Sequence, residues 1–131
     1  MIEKHVEDPS DRWYHGSNLV LDTLRPGSTV TQWRELAEAF SHKPAVLCIT
    51  NDGRILHTGR EYGFLYEVEG PIGIGREVYQ HPRTTMEQGL EYLTSLPLRL
   101  RRIGDSPGWN ASEAEEMMER IRADAAAHNR E

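Results

Sequence analysis

The chain has 131 residues, 37% of them hydrophobic, and a formal net charge of −6. That is the size of one domain, with enough apolar material for a core and no run near the roughly 20 apolar residues of a membrane-spanning helix. The charge disfavours a nucleic-acid backbone as first partner, since the only dense basic stretch is Arg99, Arg101 and Arg102.

In chain order, residues 1–11 are polar and read as a flexible lead-in to a domain over residues 12–131. The opening has no signal-peptide apolar stretch, which predicts a cytoplasmic, membrane-free protein. Trp13-Tyr14-His15 reads as a short strand ending in a turn at Gly16-Ser17-Asn18. Arg25-Pro26-Gly27-Ser28 is a turn, and Thr29-Val30-Thr31 suits a brief strand. Thr31 is placed to cap a helix whose apolar residues Trp33, Leu36, Ala37 and Phe40 recur at helical spacing, and Pro44 stops it. Ala45 to Thr50 reads as a buried strand containing Cys48, the single and inert cysteine. Asn51-Asp52-Gly53 favours a tight hairpin, returning through Arg54-Ile55-Leu56-His57.

Gly63 to Val68 alternates, with Phe64, Tyr66 and Val68 on one face and Leu65 and Glu67 on the other. A short strand follows at Glu77 to Gln80. Tyr92-Leu93-Thr94 and Leu98 to Ile103 are two late strands, or one bent at Pro97, with the arginines facing outward. Asn110 and Glu113 form a capping-box pattern that opens the last helix. Its stripe of Ala114, Met117, Met118, Ile121 and Ala125 reads as a core-packing face, or alternatively as a partner groove or homodimer face. Many short strands with one early and one terminal helix define an α+β chain, because helices and strands do not alternate.

Common zinc spacings are absent among His5, His15, His42, His57, His81 and His128, and no metal site is assigned. Gly-x-Ser-x-Gly is missing, and Gly73-Ile74-Gly75 is a turn rather than a dinucleotide fingerprint. His15-Gly16 offers more. An imidazole at a strand end can bond a ligand hydroxyl, and a glycine lets a flat ring approach the backbone. An ordinary Gly-Ser turn with a locally bonded histidine is the plainer alternative.

Tyr14-His15-Gly16-Ser17 followed by Leu24-Arg25-Pro26-Gly27 resembles the opening of ADP-ribosyltransferase-fold proteins, and most of all the small bacterial rifampin ADP-ribosyltransferases. Phe64 to Pro71 is similar to that family's Val-Glu-Pro strand, and Tyr92 to Arg99 to its Tyr-x-Thr-x-x-Pro-Leu-Arg segment, so the ordered likeness spans residues 13–104. The resemblance implies that NAD is the co-substrate. His15 would contact the adenosine ribose, the Gly16 backbone the nicotinamide amide, and Ser17 would assist in place of the commoner threonine. Thr29 stands where the family carries a stacking tyrosine, with Trp33 or Tyr62 as alternative sources of a ring. Glu91, in Glu91-Tyr92-Leu93, resembles the fold's late acidic residue and would stabilise the positive charge that develops on the ribose. The family's aspartate beyond Val-Glu-Pro is missing, with Glu77 nearby in sequence; Glu67 and Glu69 read as solvated or paired on the outer face. Three functions follow as expectations. The first is a mono-ADP-ribosyltransferase acting on a protein, a nucleic acid end or a small molecule. The second is a non-catalytic nucleotide- or protein-binding module. The third is an RNA 2′-phosphotransferase-like enzyme using Arg99, Arg101 and Arg102.

Overall fold

The computed structural model describes residues 12–84, 86 and 89–129; the lead-in expected over residues 1–11 lies outside them. The order is β1 (Tyr14–Ser17), β2 (Thr23–Leu24), β3 (Thr29–Val30), α1 (Arg34–Ser41), β4 (Leu47–Ile49), β5 (Ile55–His57), β6 (Gly63–Val68), β7 (Val78–Gln80), β8 (Tyr92–Thr94), β9 (Leu98–Ser106) and α2 (Ala111–Asn129). All pairings between these strands are antiparallel. One sheet runs β1-β6-β9-β2, a second runs β3-β8-β7, and β4-β5 is a hairpin. The chain is α+β, and no helix among the described residues is long and apolar enough to cross a membrane.

The main core lies where the two larger sheets meet. Trp13, Val30, Tyr66, Val78 and Tyr92 are all buried in it. Trp13 meets Tyr92 edge-on, with ring centroids 4.9 Å apart and planes at 88°, the arrangement that aromatic quadrupoles favour. A second cluster under α1 holds Trp33, Leu36 and Leu90. Leu65, expected on a half-solvated face with Glu67, is only 4% exposed. The reason is α1, which packs over β1 and β6 and covers the face that simple alternation leaves to water.

Tyr66 does more than fill space. Its hydroxyl donates to the Leu19 carbonyl and accepts from the Leu21 N–H, each at 2.8 Å. It thereby clamps the β1–β2 loop, which carries the exposed Leu19 and Val20. Tyr66→Phe leaves both main-chain groups unpaired, so urea denaturation should show a loss of about 1–2 kcal/mol. An unchanged midpoint would mean that water replaces the hydroxyl.

Several local expectations shift. β1 includes Gly16 and Ser17 rather than ending before them. The N-cap of α1 is Trp33, which makes no side-chain cap. Thr31 instead accepts the Trp33 N–H at 3.1 Å, turning the chain ahead of the helix. The late strands are two, in different sheets, and β9 buries Leu98 and Leu100 while exposing Arg99, Arg101 and Arg102. Cys48 is half-buried rather than fully enclosed, and its thiol is pushed up by burial and then by Asp124. In α2 the capping box closes reciprocally: Asn110 N–H to Glu113 at 2.9 Å and Glu113 N–H to Asn110 at 2.8 Å. Ile121 is buried and Ala114, Met117 and Met118 half-buried, whereas Ala125 is exposed. The helix packs against β5, so much of its apolar stripe is already used within the chain.

The turn between β2 and β3 ties the two sheets together. Pro26 and Gly27 occupy its centre, with Gly27 at φ 85°, the left-handed value a type II turn requires. The buried Thr94 holds this turn. Its hydroxyl donates to the Arg25 carbonyl at 3.0 Å and accepts the Ser28 N–H at 3.1 Å. Its main chain bonds Gly27 and Ser28.

Candidate functional site

A cleft opens where β1 and β3 part. The Val68 N–H donates to the Trp13 carbonyl, while Tyr14 exchanges hydrogen bonds of 2.7 and 3.0 Å with Thr31. In an antiparallel ladder successive residues address opposite edges. Trp13, His15 and Ser17 therefore turn their main-chain groups to β6, and Tyr14 and Gly16 turn theirs toward β3. Gly16 finds no strand there. Position 29 would be its partner had β3 stayed alongside, but the Thr29 carbonyl is taken by the His15 imidazole at 2.6 Å. The strands diverge after one bridge, and the Gly16 N–H and C=O face the gap.

The resulting cleft has a volume of about 640 Å³, and His15, Gly16, Thr29, Phe40, Lys43 and Glu91 line it. A carbonyl only accepts, so His15 donates to Thr29 from Nδ1, leaving the Nε2 lone pair of the neutral ring to accept from a hydroxyl. Burial lowers the His15 pKa from its ordinary 6.5; the Thr29 bond opposes this and the Lys43 charge adds to it. His57 is lowered too, by burial and then by His42. A depressed histidine keeps its full contribution to stability above about pH 6.5, where both states are neutral. It loses that contribution as pH falls, because the unfolded chain binds the proton first. Denaturation curves from about pH 8 to pH 5 should therefore show weakening that begins just below pH 6.5, and His15→Gln should flatten part of it. Unchanged steepness in that variant would remove His15 from the account.

Glu91 immediately precedes β8. Its carboxylate accepts the Thr84 hydroxyl, and its carbonyl accepts the His81 N–H at 3.1 Å. Both contacts fix it at the cleft wall.

Three residues that the resemblance marks, Ser17, Trp33 and Tyr62, are not brought to this cleft. Ser17 is buried, and its hydroxyl accepts the Leu19 N–H at 3.0 Å. Trp33 is buried in the cluster beneath α1 and faces a different cavity. Tyr62 is half-exposed, bonds Asp105 and lies elsewhere. Besides His15, the aromatic residues that line the cleft are Tyr14 and Phe40. Glu77 is locked by the Gly73 N–H at 2.7 Å and by Arg76, which hold its carboxyl below the ordinary value. Glu67 is paired with Arg101 and Arg12 on the outer face. Sequence reasoning missed Lys43 and Phe40. Phe40 carries a signal only as one of the helical apolar residues, and Lys43 carries none, because a lysine does not mark a left-handed helix end.

Another cavity, of about 700 Å³, is walled by Trp33, His42, His57 and Trp109. His57 stacks on His42 at 5.7 Å and on Trp109 at 5.4 Å. The His42 Nδ1–H donates to the Glu61 carbonyl, and His57 Nδ1 accepts the Gly59 N–H. These bonds fix both rings as a packing joint between α1, β5 and the segment leading to α2. Among the described residues no group of three or more His, Cys, Asp or Glu is placed to hold a metal ion. No protein-family model matches the chain, and no curated protein or solved structure matches it.

Proposed function

We propose that the cleft binds NAD and that the chain is a mono-ADP-ribosyltransferase acting on a protein, a nucleic acid end or a small molecule. The observation that carries this reading is convergence. His15, Gly16, Thr29 and Glu91 are positions the resemblance marks from three separate stretches, and all four line one cleft.

The chemistry follows from their groups. Nε2 of His15 accepts a hydrogen bond from a ribose hydroxyl. The Gly16 N–H and C=O pair with the carboxamide of nicotinamide, whose ring Phe40 or Tyr14 covers. The bond between the ribose anomeric carbon and the ring nitrogen breaks, and its electron pair neutralises the pyridinium. Glu91 stabilises the oxocarbenium-like sugar until the acceptor attacks the anomeric carbon and releases its proton to solvent. Incubation with NAD and measurement of free nicotinamide tests this, alongside NAD titration by calorimetry. Binding with release supports the transferase, and absence of both overturns it.

Binding without release is the outcome of the second reading, a non-catalytic module. Thr29 favours it, because β3 brings no stacking ring and its carbonyl is committed to His15. The phosphotransferase reading loses support, since Arg99, Arg101 and Arg102 are exposed on β9 and line neither cleft. A homodimer through α2 would have to use the part of its stripe that β5 leaves uncovered.

A further inference from the structure

We infer that Lys43 is the anion contact of this cleft and selects ligands whose ribose is joined to a pyrophosphate. This rests on the NAD reading and deepens it.

Lys43 has an unusual backbone. It follows the last residues of α1 at φ 53°, the only non-glycine at positive φ among the described residues. Its N–H closes the helix end on the Phe40 carbonyl at 3.0 Å. Glycine or asparagine normally holds that place, because a Cβ there crowds the following carbonyl. Lysine accepts the strain without any local hydrogen-bonding benefit from its side chain.

What lysine provides is its position. It lines the cleft with His15 and Glu91, and among the described lining residues it is the one lysine or arginine. No ion pair involves it among the described residues, and the cleft carboxylate, Glu91, accepts from Thr84 instead. In a chain of net charge −6, a doubly charged pyrophosphate entering here meets one compensating cation. A lysine ammonium suits phosphate as a compact point charge on a flexible stem. The same charge reaches His15, whose protonation it disfavours. Burial does most to keep Nε2 an acceptor for the ribose, and the Lys43 charge adds to it.

The test is calorimetry of the full chain with ADP-ribose, inorganic pyrophosphate, inorganic phosphate, adenosine and nicotinamide, comparing wild type with Lys43→Gly and Lys43→Gln. Lys43→Gly should weaken ADP-ribose and pyrophosphate about 10-fold or more, as expected for a charge-assisted contact, and leave nicotinamide unchanged. Because it relieves the backbone, it should also raise the melting temperature by about 3 °C. Lys43→Gln should lose the affinity without that gain. Equal ADP-ribose affinity in all three proteins overturns the inference while the NAD reading stands. Lys43-dependent binding of pyrophosphate without ADP-ribose binding keeps the anion contact and overturns the NAD reading. Lys43-dependent binding of inorganic phosphate as tight as that of pyrophosphate overturns the selectivity for pyrophosphate. No anion binding by wild type overturns the inference.

Discussion

Glu91→Gln should retain NAD binding within about twofold and lower nicotinamide release by about 10²–10³-fold, the usual cost of losing one preorganised electrostatic contact to a developing charge. The substitution is close to isosteric. The amide oxygen of Gln can still accept the Thr84 hydroxyl that fixes Glu91. The geometry persists and only the negative charge is lost. NAD in its ground state carries its positive charge delocalised over the nicotinamide ring, whereas the sugar cation formed as nicotinamide leaves carries it on the ribose, beside Glu91. Release and affinity should therefore separate. Thr84→Val gives the companion measurement: the charge stays and its anchor goes, so release should fall less, by about 10-fold. Undiminished release from Glu91→Gln would sink the assignment. A parallel loss of binding would make Glu91 a ground-state contact.

Gly16→Ala should lower the melting temperature by about 10 °C or prevent folding, corresponding to roughly 3 kcal/mol or more. A Cβ built on Gly16 would sit 1.7 Å from the Ala37 carbonyl oxygen and 2.8 Å from the Ser41 nitrogen. Both are main-chain atoms of α1 and cannot rotate aside. The helix would have to lift from β1, opening the cluster of Trp33, Leu36 and Leu90. The glycine thus serves two directions at once. Its Cα hydrogens admit α1 on one face, and its N–H and C=O look along the sheet into the cleft. Stability reads only the first of these. The second can be followed in wild type, where the Gly16 amide resonance should move on adding nicotinamide. An Ala variant melting like wild type would refute the packing argument.

Most strands and both helices are legible in the sequence because their signals are local. The Asn51-Asp52-Gly53 turn, the alternation in β6 and the Asn110–Glu113 box each depend on residues within a few positions. The faces of residues at element junctions are not local. Ser17 and Trp33 each stand where a strand or helix begins or ends, and packing from elsewhere decides their direction. Ser17 turns to Leu19, and Trp33 turns under α1. Leu65 is buried because a helix nearly thirty residues upstream lies over it. His15, Gly16 and Glu91 were readable as a set only through the ordered resemblance. Lys43 was hidden because a left-handed lysine contradicts the propensity that would mark a helix end.

The strand order β1-β6-β9-β2 also bears on how the chain is made. β1 precedes its first sheet partner, β6, by more than forty residues, and β2 pairs only with β9, the last strand. At roughly 5–20 residues per second, the nascent chain carries Trp13 without its partners on β6 and β8 for several seconds. Only the β4-β5 hairpin and α1 can form early from neighbouring residues. The larger sheet thus closes only with β9, and a ribosome paused before it would hold that sheet open to chaperones.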